Sequence, residues 1–267
     1  MSENFGMAGK RVIITGASGG IGGATTRLLA QRQAKLVLVD RDSAALHRIT
    51  QEVESAGVEV LSIVADVTQE SDVVRYVDAA VEHFGGVDGF FNNAGISGQV
   101  TPALDLAFED WKRVIDVNLN GVYLGLKYVG RVMAEQRSGA IVCTGSIASE
   151  RGLPNTVAYN AAKHGVLGLV RTFAAEIGGQ GVRVNAVLPG MIDTQMLRSI
   201  AERLMPGVDG AEGAAAAGAA SSVMGRVGQP EEIAQVVSFL LSEQASFVQG
   251  AGVPVDGGAL ATMGNTG

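Results

Sequence analysis

The sequence predicts a single α/β domain in which helices cover both faces of a parallel sheet. Short β-rich runs alternate with segments of helical period along the chain, which is the pattern of a parallel sheet with crossover helices. A glycine-rich turn joins the first run to the first helix, and polar residues follow the ends of several other runs. The 267 residues are 47% hydrophobic and 18% charged, so the chain can bury one large core.

The elements follow in order. Strands are predicted at residues 10–15, 35–39, 58–64, 87–91, 140–144, 182–187 and 253–256. Helices are predicted at residues 24–31, 43–56, 70–84 and 109–135, and from about residues 156 and 229 onward. About seven parallel strands with helices on both faces define a Rossmann-type doubly wound sheet. No internal repeat or linker interrupts the pattern, so we predict one domain over residues 1–267.

Residues 191–226 differ in amino-acid composition from the rest of the chain. The stretch 209–220 is rich in alanine and glycine, and we expect it to be mobile and at most weakly helical. A long segment of this kind on the ligand side of a sheet is typical of a substrate loop or lid.

The glycine-rich turn spans Gly16 to Gly22 and precedes a helix. Glycines let the backbone approach a pyrophosphate, and the free N–H groups at the helix start point towards the anion. Asp40 ends the second predicted strand, where a carboxylate accepts hydrogen bonds from a ribose 2′-hydroxyl and repels a 2′-phosphate. Gly19 leaves the turn without a basic residue, so the sequence favours NAD over NADP. Two readings remain open: Arg41 could reach a phosphate, and Asp40 could instead cap the next helix.

Tyr159 and Lys163 are four residues apart, which places them on one face of a helix. The same face continues as an apolar stripe through Val166 and Val170, and an unpaired ammonium is costly to bury there. The alternative is a tyrosine at a rim and a lysine whose amine reaches water. Asn118 likewise lies on an apolar stripe, where it needs partners or simply bonds to neighbouring backbone.

Charge and composition exclude several classes of function. The net charge of −7 argues against nucleic acid or an anionic membrane as a partner. No apolar run has the length of a membrane span, and Met1–Phe5 lacks the features of a signal peptide. The single cysteine, Cys143, fits an inert core position and a cytoplasmic protein. The three histidines are scattered, so we predict no metal site.

Taken together, these motifs resemble those of the classical short-chain dehydrogenases/reductases. The resemblance covers residues 10 to 260. It comprises the glycine turn from Thr15 to Gly22, Asp66-Val67, Asn92-Asn93-Ala94-Gly95, Asn118, Ser146, Tyr159-x-x-x-Lys163 and Pro189-Gly190.

The resemblance implies a role for each catalytic candidate. Tyr159 would be the general acid/base, and Lys163 would lower the pKa of Tyr159 and hold ribose hydroxyls. Ser146 would hydrogen-bond the substrate oxygen, and Asn118 would hold a water in a proton relay. The family also implies a homotetramer formed through the helices at 109–135 and 157–178. The implied cofactor-binding residues are Gly16, Ser18, Gly20, Ile21, Asp40, Arg41, Asp66, Val67, Asn93, Ala94, Gly95, Tyr159, Lys163, Pro189, Gly190, Ile192 and Thr194.

The leading functional hypothesis is an NAD-dependent oxidoreductase that interconverts a secondary alcohol and its ketone. The expected pocket walls at 96–100, 147–155 and 191–223 are mostly apolar, which favours a hydrophobic, cyclic or aryl substrate. Glu150 and Arg151 would select a polar group if they pointed inward. One alternative is an NADPH-dependent β-ketoacyl carrier-protein reductase. The other, from a different class, is a non-catalytic dinucleotide-sensing regulator.

Overall fold

Residues 6–262, which the computed structural model describes, form one seven-stranded sheet with every pair of neighbouring strands parallel. The strand order is β3-β2-β1-β4-β5-β6-β7. The predicted Rossmann-type fold is confirmed. The strands are β1 Arg11–Thr15, β2 Lys35–Asp40, β3 Val60–Val64, β4 Gly89–Asn92, β5 Gly139–Thr144, β6 Val182–Pro189 and β7 Gly252–Val255.

Helices cover both faces of this sheet. They are α1 Gly20–Gln31, α2 Ser43–Ser55, α3 Glu70–Phe84, α4 Phe108–Ile115, α5 Gly121–Gln136, α6 Val157–Ile177, α7 Gln195–Leu204, α8 Gly210–Ser221 and α9 Pro230–Leu241. The apolar faces of α1, α2 and α9 pack on one side of the sheet, and those of α3, α5 and α6 pack on the other.

Strand β1 shows how the sequence divides between the two cores. Val12 and Ile14 belong to the core under α1 and α9, whereas Ile13 belongs to the core under α5 and α6. Successive side chains of a strand point to opposite faces, so a strand covered on both sides needs an unbroken apolar run. The runs in β1 and β2 meet this requirement.

The order of strands reverses between β1 and β4. From β1 the chain moves outward to β2 and β3, and it then returns to place β4 on the other side of β1. The loops that leave β1 and β4 therefore diverge and open a crevice at the carboxyl ends of the strands. This crevice lies where the glycine turn and Asn93 follow their strands.

The helix predicted at 109–135 is confirmed as one continuous helical stretch over residues 108–136. The prediction did not include the π-helical turn at Asp116–Asn120, which joins α4 to α5 within this stretch. Asn118 lies in this turn and hydrogen-bonds both backbone groups of Ile96 on a neighbouring loop. A one-turn π-helix leaves the apolar period on either side intact, so periodicity did not reveal it.

Residues 191–226 fold largely as two helices, α7 and α8, rather than as an irregular loop. The side chain of Thr194 caps α7, and the side chain of Asp209 accepts two backbone N–H groups at the start of α8. Alanine is the best helix former, so the alanine-rich composition stabilises α8 once the cap is in place. A bridge between Ile192 and Gly228 joins the two ends of the segment.

The expectation about Met1–Phe5, and the two ends of the 1–267 domain prediction, lie outside the described residues. Within residues 6–262, no helix has the length and hydropathy needed to cross a membrane.

Candidate active site

A cavity of about 660 Å³ opens at the carboxyl ends of the strands. Every residue predicted to bind the cofactor lines it, and so does Ser146. Asn118 is the one predicted site residue that does not line the cavity. The fold thus brings together residues that the sequence spreads over Gly16 to Thr194.

The glycine turn forms one end of the cavity. Gly16 has a φ of +63°, a conformation that favours glycine, and a Cβ on Gly22 would lie 1.9 Å from the Gly16 carbonyl oxygen. No side chain caps the start of α1 at Gly19, so backbone N–H groups remain available there. This arrangement fits the pyrophosphate of a dinucleotide.

Asp40 lies at the end of β2 and faces the glycine turn. One carboxylate oxygen accepts the backbone N–H and the hydroxyl of Ser18, at 3.0 and 2.6 Å, and the other accepts the N–H of Asp42 at 3.1 Å. The cap of α2 is Asp42, whose side chain accepts the N–H of Ala45. The alternative in which Asp40 caps this helix is therefore wrong.

Asn93 ties three strand ends together. Its backbone N–H donates to the hydroxyl of Thr15, and its side-chain NH₂ donates to the Thr15 carbonyl. Its side-chain oxygen accepts the hydroxyl of Thr144 at 3.0 Å. The neighbouring Asn92 instead bonds the carbonyl of Val122 on α5, within the protein core. Asn93 thus holds the ends of β1, β4 and β5 in a fixed relation.

Lys163 lies one turn after Tyr159 on α6 and is 3% exposed. Its Nζ donates to the carbonyl of Thr144 at 2.7 Å and lies 5.6 Å from the centroid of the Tyr159 ring. The ammonium therefore does not reach bulk water, and the alternative of a lysine extended into solvent is wrong. Its partner is a backbone carbonyl at the end of β5.

Ser146 caps the 3₁₀ turn at Ile147–Ser149, which follows β5. Its hydroxyl oxygen accepts the N–H of Ala148, and its own N–H donates to the hydroxyl of Ser149. Ser146 and Tyr159 both line the cavity, and hydrogen bonding by the Ser146 side chain acts to lower the pKa of Tyr159.

Burial governs the pKa values of these groups in the ligand-free protein. It raises the pKa of Tyr159 above its ordinary value of 10, and the hydrogen bond with Ser146 opposes this only in part. Lowering of the Tyr159 pKa by Lys163, which the resemblance implies, stays a prediction. Burial also lowers the pKa of Lys163 to about 8, against a smaller opposing effect of Cys143. Removal from water disfavours the charged form of each group.

Asn118 lies behind the cavity and bonds to backbone, as the simpler reading of the sequence allowed. Its oxygen accepts the N–H of Ile96 at 2.8 Å, and its NH₂ donates to the Ile96 carbonyl at 2.7 Å. This pair of bonds fixes the loop that follows Gly95 beside Lys163. A part for Asn118 in a water-mediated relay stays a prediction.

The end of the cavity beyond Tyr159 is apolar. Glu150 is exposed and Arg151 donates to the carbonyl of Ala259, so neither lines the cavity. Among the described lining residues of this end, Lys163 is the only charged one. We also expect Val157, at the start of α6, to form part of its wall, but it does not line the cavity. The apolar residues of the expected walls that do line it include Ile96, Ile147, Leu153, Met191, Met196, Leu197, Leu204 and Met205.

Two polar residues near the site were missed in the sequence. Thr144 supplies the carbonyl that receives Lys163, and its position at a strand end was the available signal. Asn160 hydrogen-bonds the segment 153–156, and nothing in the sequence distinguished it from a surface residue.

Cys143 is buried, and burial raises the pKa of its thiol to about 12. Within residues 6–262, no three potential metal ligands of the His, Cys, Asp and Glu types cluster together.

The fold and the cavity define a class: an α/β protein with a dinucleotide-type crevice at the switch point of its sheet. A family model described as enoyl-(acyl carrier protein) reductase matches residues 16–259. The chain belongs to the short-chain dehydrogenase/reductase family.

Individual relatives are similar over almost the whole chain. Levodione reductase of Leifsonia aquatica is 45% identical over 92% of both chains. Cyclohexanol dehydrogenase of Acinetobacter sp. (strain SE19) is 40% identical over 96% of both. The crystal structure of an NAD⁺-bound xylitol dehydrogenase matches with a TM-score of 0.89 and 36% identity, over 95% of this chain and 100% of the other. These relatives are oxidoreductases of alcohols and ketones.

The buried ammonium of Lys163 should make stability depend on pH. In the unfolded chain this lysine has its ordinary pKa of 10.5, so between pH 8 and 10.5 the unfolded state binds more protons than the folded state. The contribution of Lys163 to the free energy of unfolding therefore becomes more favourable as the pH rises. We predict that the free energy of unfolding of the wild type rises by about 3 kcal/mol relative to that of Lys163→Met between pH 8 and 10.5.

Urea unfolding at a series of pH values between about 7 and 10.5 measures this difference. Lys112→Met, which changes an exposed lysine on α4, is the control and should show no comparable trend. A difference between Lys163→Met and wild type that is constant with pH would contradict a buried ammonium.

Proposed function

We propose that the protein is an NAD-dependent oxidoreductase that interconverts a neutral, hydrophobic secondary alcohol and its ketone. One observation carries the proposal: Ser146, Tyr159 and Lys163 meet where the polar, glycine-lined part of the cavity adjoins its apolar end. A dinucleotide and an alcohol would meet at the same point.

The residues present fit a dinucleotide. The uncapped start of α1 would bind its phosphates, and Asp66 and Val67 would flank the adenine. Residues 93–95 and Lys163 would adjoin the second ribose, and the segment from Pro189 to Thr194 would frame the carboxamide. When bound, the dinucleotide supplies or accepts the hydride.

Asp40 supports NAD over NADP. Its carboxylate is held in place by Ser18, and its remaining lone pairs can accept the hydroxyls of an adenine ribose. A 2′-phosphate at that position would meet a fixed negative charge. Arg41, the next residue in the chain, is exposed and lines the same cavity. Its guanidinium would favour the 2′-phosphate of NADP.

The chain's own groups account for the proton. In ketone reduction, the Tyr159 phenol is protonated at neutral pH and can donate to the forming alkoxide. The Ser146 hydroxyl can hydrogen-bond the same oxygen and stabilise its negative charge. In alcohol oxidation, Tyr159 must first lose its proton, and the ammonium of Lys163 favours the resulting phenolate.

The apolar end of the cavity supports the substrate class. Methionine and leucine side chains of α7 and its flanking residues, with Ile96 after β4 and Ile147 and Leu153 after β5, surround it, and burying a hydrocarbon ring there is favourable. Cyclohexanol, on which one relative acts, is a cyclic secondary alcohol of this kind. We propose substrates of that class, with an aryl ring as a further possibility.

A β-ketoacyl carrier-protein reductase is the second candidate, because a 3-oxoacyl-[acyl-carrier-protein] reductase of Thermotoga maritima is 37% identical over 94% of this chain. Such an enzyme would use NADPH, and Asp40 argues against it. A dinucleotide-sensing regulator would not need the serine, tyrosine and lysine that meet in this cavity.

The proposal also includes a homotetramer in the cytoplasm. Phe108 on α4 is 69% exposed and Tyr123 on α5 is 43% exposed, which leaves apolar surface on the helices expected to pair between subunits. The single buried cysteine suits a reducing compartment. Neither nucleic acid nor a membrane is part of the proposal, because the net charge is −7.

We predict that the purified protein oxidises cyclohexanol-type alcohols with NAD⁺ and that Tyr159→Phe lowers kcat by about 10²- to 10⁴-fold, the usual contribution of a general acid/base. Absorbance of the reduced nicotinamide measures turnover. Tyr123→Phe, the same change at an exposed tyrosine, is the control and should retain activity.

Turnover that persists in Tyr159→Phe would contradict the mechanism. Cofactor binding without turnover of any alcohol would favour the regulator, and turnover of charged alcohols alone would contradict the substrate class.

Asp40→Ala should narrow the preference for NAD⁺ over NADP⁺ by about 10- to 100-fold in kcat/KM, because hydrogen bonds to a charged group contribute about 1.5–3 kcal/mol. Asp42→Ala is the matched control, since it removes a nearby carboxylate that only caps α2. If Asp40→Ala leaves the ratio unchanged, Arg41 or the backbone determines cofactor preference instead.

A further inference from the structure

The segment of residues 153–156 forms one wall of the apolar end of the cavity. It lies between the 3₁₀ turn that begins after Ser146 and the first turn of α6, which carries Tyr159. Its shape therefore determines how a substrate can approach Ser146 and Tyr159.

This segment is not held by regular structure. Asn155 has a φ of +65°, a left-handed conformation that is uncommon for a residue with a side chain. The segment belongs to neither a helix nor a strand, so its backbone polar groups need other partners. Such a conformation persists only when surrounding contacts impose it.

The side chain of Asn160 provides those contacts. Its NH₂ donates to the carbonyl of Leu153 at 2.9 Å and to the hydroxyl and carbonyl of Thr156 at 2.6 and 3.1 Å. Its oxygen accepts the N–H of Leu153 at 3.2 Å. The Thr156 hydroxyl in turn donates to the Leu153 carbonyl at 2.8 Å. One amide thus closes the segment at both ends.

The closed segment also connects to a second wall of the cavity. The carbonyl of Asn155 accepts the N–H of Thr101 at 2.9 Å, just after the 96–100 segment. Asn160 follows Tyr159 directly in α6. It therefore couples the helix that carries Tyr159 to two of the surfaces that would contact a substrate.

We propose that Asn160 is a positioning residue that fixes the 153–156 segment against α6 and thereby sets substrate affinity and size selectivity. This inference rests on the proposed function, because it assigns the apolar end of the cavity to the alcohol. Asn160 itself does not line the cavity, so it acts through Leu153 and Thr156.

The first test is steady-state kinetics of Asn160→Ala. We expect the KM for cyclohexanol to rise at least about tenfold, because the wall loses its fixed shape. The KM for NAD⁺ should stay within about twofold, since the glycine turn and Asp40 are remote from this wall. The ratio of kcat/KM values for cyclohexanol and 2-propanol should fall, because a loosened wall discriminates less between a ring and a small alcohol.

Three further variants separate hydrogen bonding from side-chain volume. Asn160→Asp has nearly the same size but cannot donate to the carbonyls, so it should behave like Asn160→Ala. Thr156→Val removes one shared partner, and its effect should be less than additive with Asn160→Ala. Arg171→Ala, which changes an exposed residue farther along α6, should match the wild type.

The second test does not depend on turnover. Hydrogen–deuterium exchange followed by mass spectrometry should show at least about fivefold faster exchange at residues 153–156 in Asn160→Ala, with residues 165–177 of α6 unchanged. If the wild type oxidises no alcohol but exchange responds in this way, the proposed function fails and the structural part of the inference stands.

Unchanged exchange in Asn160→Ala would overturn the positioning role. An active wild type whose KM and selectivity are unaffected by Asn160→Ala would overturn the assignment of this wall to the substrate. Wild-type behaviour of Asn160→Asp would show that side-chain volume, not donation to the 153–156 segment, is what matters.

Discussion

The site depends on one costly interaction, the burial of the Lys163 ammonium against the carbonyl of Thr144. Burying a charge is unfavourable unless strong partners receive it, and here one backbone carbonyl and a tyrosine ring provide the contacts. The lowered pKa of Lys163 reflects that cost in the ligand-free protein. A group kept buried at a cost to stability, in a cleft beside a buried phenol, is typical of a catalytic site.

The rest of the fold holds the partners of this lysine in place. β5 ends at Thr144, which gives its carbonyl to Lys163 and its hydroxyl to Asn93. Asn93 continues the connection to Thr15 at the end of β1, next to the glycine turn. A parallel sheet brings these strand ends to one edge, so residues far apart in sequence form one polar network between the two regions of the cavity. The apolar end is built separately, from α7 and from loops held by Asn118 and Asn160.

Sequence reasoning predicted what depends on local pattern. Alternating apolar runs fixed the sheet, and strand-end positions identified Asp40, Asn93 and Ser146 as residues that share one cavity. It could not predict the π-helical turn around Asn118, because a single turn with an extra residue leaves the apolar period on each side of it unchanged. Nor could it predict that the alanine-rich stretch forms the stable helix α8, because the cap at Asp209 and packing against α7 determine whether that helix forms. The hydrogen bonds of Asn160 depend on the left-handed backbone conformation of Asn155, which no sequence motif predicted. The balance of pKa effects at Tyr159 requires a measure of burial that sequence does not contain.

The proposed role of Lys163 is to convert the buried, neutral phenol of Tyr159 into a usable acid/base, and the pKa of that phenol tests this role most directly. NMR of protein labelled with ¹³C at the ring carbon of its four tyrosines, with Tyr159 assigned by Tyr159→Phe, gives that pKa. The account predicts titration above 10 without ligand. With saturating NAD⁺, the pKa of Tyr159 should fall by at least about one unit, and this fall should be absent in Lys163→Met. A Tyr159 pKa that does not respond to NAD⁺, or that falls equally in Lys163→Met, would contradict the account.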